Sequence, residues 1–310
     1  MQGLAQPFSF WHEPAPRSFE FALLCTVAYA DLFNCPLTLE EMHRYLVGIE
    51  TDLTTVQGVL DDGGAPDQLV QQGIYFTLSG REEIVARRSE RTRAAADLWP
   101  VAIGYGQVLG RLPLVRMVAV TGALAVDNAE PGDDIDYLIV TVPDRLWLCR
   151  AMVIQFVVKP AARRGVILCP NYLLSERALT RFEHNLFTAH EIVQMVPVAG
   201  HDTYQRLCDL NRWAERFLPN AYGRPRSIST TARPASSPFL AVEPTLRSRA
   251  AGRIERWERE RKIARFHRES TEETEASFSK DWCKGHFESH GRLVREALYH
   301  RLERLDWAAE

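Results

Sequence analysis

The chain has 310 residues, 46% of them hydrophobic, enough apolar material for two or three folded domains. A formal net charge of −3 does not suit a general nucleic-acid coat, which would be strongly basic. Six cysteines without close pairs exclude a disulfide framework or zinc module by spacing and point to reduced, mostly buried thiols.

Residues 1–17 carry several prolines and read as an irregular arm without the basic, then apolar, pattern of a secretory leader. From Ser18 the sequence is apolar around most of a helical circumference until Asn34. Thr38 and Glu41 form a capping box for a second helix. A third short helix is expected from Leu53 to Leu60, and Gly73 to Leu78 reads as part of a strand hairpin. Three helices followed by a hairpin give residues 1–95 the order of a winged-helix module. Its third helix carries Thr54, Thr55, Gln57 and Gly58 between Asp52 and Asp61, and no Lys or Arg for a phosphate. The module is therefore expected to pack or to bind protein in preference to DNA. Arg81, Arg87, Arg88 and Arg91 are the counterargument, and they read as a solvated helix face. A polar helix from Glu82 to Trp99 should stop at Pro100, with another from Val101 to Leu109.

The stretch from Val118 to Thr141 carries the chemistry. Met117 to Thr121 is an apolar, β-branched strand ending at Gly122, and Tyr137 to Val142 is a second strand. Side chains alternate along a strand, so Asp134 and Asp136 leave on one face and Ile135 on the other. Two adjacent carboxylates suit Mg²⁺ or Mn²⁺, which take a few carboxylates plus substrate phosphates. Gly122 permits close backbone approach to a phosphate. Val120-Thr121-Gly122-Ala123, a spacer of about ten residues, then Asp134-Ile135-Asp136-Tyr137 resembles the signature of the DNA polymerase beta type nucleotidyltransferases. Asp133 to Thr141, Cys169 to Glu176, Asn185 to Pro197 and Cys283 to Phe287 also resemble a group of uncharacterised bacterial proteins with a nucleotidyltransferase domain.

The resemblance implies transfer of a nucleoside monophosphate from a nucleoside triphosphate to a hydroxyl-type acceptor, with Asp134 and Asp136 holding the metal. The acceptor class stays open among small molecules, proteins and RNA ends. The family has Gly-Ser where this chain has Gly122-Ala123, and Thr121 is the substitute hydroxyl. The family's third carboxylate falls on the next strand, Val166 to Ser175, which offers Asn171. An amide cannot take a proton at neutral pH. Glu176 or Glu191 can replace it, the acceptor can need no base, or the site can bind without turnover. That last case is a nucleotide sensor or scaffold whose winged helix engages protein or DNA.

Asp144 is expected to cap the helix from Arg145 to Val158, which Pro160 ends. This most apolar stretch is too short to span a bilayer and contains Arg150, so a cytoplasmic protein with no membrane partner is expected. Helices follow near Asn185–Met195 and Thr203–Leu218. On the first, His190 and Glu191 are adjacent and should point about 100° apart, with His190 structural. Residues 96–221 form the α+β core with a small mixed sheet, and 222–245 read as a linker. Residues 246–310 form a helical appendage with helices near Leu246–Arg268 and Trp282–Leu305. Ile254, Trp257 and Ile263 are the expected apolar contacts of the first. Lys284, near His286 and His290 at the start of the second, is the expected triphosphate contact.

Overall fold

Ten consecutive residues, Ala22 to Asp31, are buried in the first helix, α1 (Phe19–Asp31), as its apolar circumference requires; Ser18 accepts from the Phe21 amide at its start. The computed structural model describes residues 18–180, 182–221, 223, 225–226, 238–269, 278–284 and 290–305; the 1–17 arm and His286 lie outside them. The capping box forms in α2 (Leu39–Arg44), with Thr38 and Glu41 each accepting from the other's amide. Next come α3 (Leu53–Asp61) and the antiparallel pair β1 (Leu69–Gln72) and β2 (Tyr75–Leu78), with Leu37 bridged to Phe76.

One helix, α4 (Glu83–Arg111), runs through Pro100 where the sequence predicts a stop. Proline inside a helix costs about 3 kcal/mol. Burial of Trp99, Ala102 and Leu109 against the sheet offsets that cost. Gly106 allows the close approach, because a Cβ there would overlap Val198. Of the arginines near the start of α4, Arg87 is exposed as a solvated face requires, but Arg88 and Arg91 are not. Arg88 is 3% and Arg91 6% exposed. Arg88 donates to Glu41 (2.6 Å), and Arg91 to the Asn34 carbonyl (2.7 Å) and Glu130 (2.5 Å). Arg81 bonds Asp31 and Asn34. They fasten α1 and α2 to the loop before the motif strand.

The central sheet has five strands in the order β6-β3-β4-β5-β7: β3 (Val115–Val120), β4 (Ile135–Thr141), β5 (Leu168–Ser175), β6 (Val196–Ala199) and β7 (Trp282–Lys284). Only β4 and β5 pair in parallel; the other neighbours are antiparallel. A parallel pair needs a crossover. It is supplied by α6 (Leu146–Val153), a π-helical turn over Ile154–Val158 and α7 (Lys159–Ala162). Pro160 therefore does not end this run; it follows the π-helical turn and lies within α7. Nor does Asp144 cap α6. It adopts φ 61° and accepts from Arg177 Nη1 (2.8 and 2.9 Å). The cap comes from Glu255, distant in sequence, which accepts from the amides of Trp147 (3.1 Å) and Leu148 (2.6 Å).

Between β3 and β4 lies one short helical turn, α5 (Gly122–Ala125), and α8 (Leu186–Gln194) and α9 (His201–Leu210) flank β6. The segment read as a linker contains α10 (Pro238–Leu246), and α11 (Arg249–Glu269) follows it. Ile254 and Trp257 on α11 are 52% and 60% exposed, so they are not its core contacts; Ala251, Glu255 and Glu258 are buried instead. Trp282–Lys284 is an edge strand and not a helix start; α12 (His290–Arg304) comes later.

Side-chain alternation splits the sheet into two faces. Val118, Val120, Tyr137, Ile139 and Leu173 belong to a core shared with α4 and α6. Met117, Ala119, Leu138, Val140 and Leu174 belong to a core shared with α1, α2 and α8. The result is a mixed α+β fold with helices on both faces of a mixed sheet. No helix among the described residues is long and apolar enough to cross a membrane.

Candidate functional site

Asp136 faces the α1 and α8 side, two residues before Leu138 on β4. The β3–β4 register continues so that Thr121 lies opposite Asp136, and the Thr121 amide donates to the Asp136 carbonyl at 3.0 Å. Gly122 then turns the chain at φ 68°. A Cβ on this residue would lie 2.5 Å from Asp136 Oδ2, so only glycine lets the turn fold over the carboxylate.

Across the parallel pair, Asp136 is opposite Cys169 and Leu138 opposite Tyr172. Two residues of β5, Pro170 and Asn171, thus face one residue of β4. This bulge re-aims β5, so Cys169 and Tyr172 share the face that strict alternation would divide between them. Tyr172 in turn pairs with Lys284 on β7, whose Nζ lies 5.7 Å from the Tyr172 ring centre. Thr121, Asp136 and Cys169 therefore form one row across the sheet, and Tyr172 and Lys284 lie in the next row on the same face.

Asp134, just before β4, completes a cluster with Asp136 and Cys169: one ligand atom from each lies within 4.8 Å of the others. The row borders a cavity of about 540 Å³, within the usual range for small-molecule sites. Gly122, Ala123, Asp136, Asn171 and Lys284 line it, together with Glu191 of α8. The opposite wall comes from the N-terminal helices, among them Tyr29, Phe33 and Tyr45. Thr121 lies at the edge, 4% exposed, and its Oγ1 has no hydrogen-bond partner; the buried Asn171 Oδ1 has none either.

His190 and Glu191, adjacent on α8, both line the cavity, and His190 is held by packing as the sequence reading expects. His190 stacks on Tyr29 with ring centres 3.8 Å apart, and its Nδ1 contacts the Leu186 carbonyl at 2.9 Å. Burial holds it neutral, with a pKa lowered to about 4. Burial also raises Glu191 to about 7, opposed by the Lys284 ammonium. Asp136 rises to about 7 through burial first and the Asp134 charge second, while a hydrogen bond from Cys169 opposes the rise. A site that pushes two carboxyls up toward neutrality favours a cation near them.

Of the residues singled out by sequence, the structure brings Asp136, Gly122, Ala123, Asn171 and Lys284 to the cavity, sets Thr121 next to Gly122, and places Asp134 against Asp136 but not in the cavity lining. Glu176 does not line the cavity. Cys169 escaped the sequence reading, although Pro170 inside a strand is a bulge signal. Comparison with protein-family models, with curated proteins and with solved structures gives no match to this chain.

Proposed function

We propose that the protein is a metal-dependent nucleotidyltransferase that moves a nucleoside monophosphate from a nucleoside triphosphate to a hydroxyl-type acceptor. The observation that carries this reading is the convergence of Asp134 on Asp136, beside a glycine turn closed onto Asp136, which lines a cavity that Lys284 also reaches. Asp134 and Asp136 would hold Mg²⁺ or Mn²⁺, whose charge would offset that of the transferring phosphoryl. The donor set fits a cation: two carboxylates converge there, and Thr121 Oγ1 and Asn171 Oδ1 lack partners nearby.

In this reading the turn at Gly122 and Ala123 offers backbone to the triphosphate, and Lys284 orients it from the opposite edge. The acceptor oxygen forms a bond to the α-phosphorus as the bond to the β-phosphate bridge breaks and pyrophosphate leaves. Glu191 is the carboxylate placed to take the acceptor's proton, and a pKa near neutrality suits a base working near neutral pH. Asn171, on the cavity lining, would hold the metal's ligands or the acceptor in place. The N-terminal helices and hairpin, winged-helix-like in their order, act as a wall of the chamber. Internal pairing of Arg81, Arg88 and Arg91 supports this role over DNA binding.

A second reading is a nucleotide sensor, favoured by Cys169 standing in the cluster where a carboxylate would serve chemistry. Calorimetric titration with the four nucleoside triphosphates, with and without Mg²⁺ or Mn²⁺, tests the site. Metal-dependent binding that disappears in Asp134→Ala/Asp136→Ala is the expected result, and no binding of any triphosphate overturns the proposal. Release of pyrophosphate, tested across small hydroxylated compounds, proteins and RNA ends, separates enzyme from sensor.

A further inference from the structure

We infer that Cys169 is a third ligand to the cation held by Asp134 and Asp136, and that the site prefers softer divalent ions such as Zn²⁺ or Co²⁺ to Mg²⁺. This rests on the reading of the two aspartates as a metal pair. The geometry is that of a ligand set: two carboxylate oxygens and one sulfur from adjacent strands lie within 4.8 Å of one another. Cys169 reaches the set only because the bulge at Pro170–Asn171 brings it onto the face of Asp136.

A second observation points to the same spot. Thr121 is 4% exposed and its hydroxyl has no partner, although its backbone is bonded to Asp136 and its side chain leaves the sheet on the same side. A buried hydroxyl is rarely left unsatisfied without a ligand or water to meet it. The adjacent Asn171 Oδ1 is likewise unpartnered. Thiolate ligands select softer ions, whereas Mg²⁺ takes oxygen donors. The other five cysteines do not enter this set. Binding requires the thiol to give up its proton, which passes to solvent as the sulfur–metal bond forms.

The test is titration of the full chain with Co²⁺, followed by absorbance and by calorimetry. The expected result is a thiolate-to-cobalt charge-transfer band that saturates at equimolar metal. Cys169→Ser should remove the band and weaken Co²⁺ binding about tenfold or more, while leaving Mg²⁺ affinity within about twofold. Cys208→Ser, at the other half-buried thiol, should keep the band. Co²⁺ bound without the band, or a band that survives Cys169→Ser, overturns the thiolate ligand and leaves the carboxylate pair standing. Co²⁺ binding unchanged in Asp134→Asn/Asp136→Asn, or none in the wild type, overturns both.

Discussion

The two faces of the central sheet are built from alternate residues of the same strands, and both bury apolar side chains, but they differ at the end that carries Asp136. On the α4 and α6 face, Val118, Val120, Tyr137 and Ile139 are buried among apolar neighbours. The single polar group of that row, the Tyr137 hydroxyl, donates to the Ala102 carbonyl at 2.7 Å. On the α1 and α8 face, the same strands present Thr121, Asp136 and Cys169, with a raised carboxyl and an unpartnered hydroxyl among them. Both faces bury apolar residues, but only the second also holds groups that a stability-driven design would omit.

The largest effect expected from breaking this contrast is on the apolar face. Ile139→Ala should cost about 2–5 kcal/mol in urea unfolding, because a fully buried branched side chain leaves a cavity. A change below about 1 kcal/mol would mean that this face is not the tightly packed one. A smaller effect of opposite sign is expected across the sheet. Asp136 is raised from 3.8 to about 7, so the stability it contributes is complete below about pH 4 and is lost as pH rises through about 7. Asp136→Asn should therefore raise the melting temperature of the metal-free protein at pH 8 by a few degrees and lose that advantage near pH 4. The same variant should no longer gain stability from added divalent cations. A melting curve lowered at pH 8 would place Asp136 among the stabilising groups after all. Smallest is Tyr137→Phe, which should cost about 1 kcal/mol for one buried hydrogen bond and leave cation binding untouched.

How much was legible follows from how local each signal is. The capping box, the hairpin, the two motif strands and the shared side of Asp134 and Asp136 each depend on a few neighbouring residues. Features decided by distant contacts were not legible. Pro100 passes through α4 because the sheet beneath rewards the helix on both sides of it. Glu255 caps a helix more than a hundred residues earlier, so Asp144 was the only candidate the local sequence offered. Arg88 and Arg91 look solvated until α2 and the loop before β4 close over them. Trp282–Lys284 is three residues long, and its strand character comes from pairing with β5. Lys284 reaches the cavity from an edge strand where the local sequence predicts a helix start.

The extra residue in β5 also sets how this strand can be compared with any other. The half before Pro170 and the half after Asn171 are out of phase in sequence but in phase on the sheet. An ungapped alignment anchored on Tyr172 and Leu174 would set Pro170 opposite Asp136, and one anchored on Cys169 would turn the apolar half inside out. Counting along the strand selects Asn171, which does line the cavity, while the folded chain also brings Cys169 against Asp136. Loss of a single residue here would not merely shorten the strand; it would exchange which half of its side chains the cavity sees.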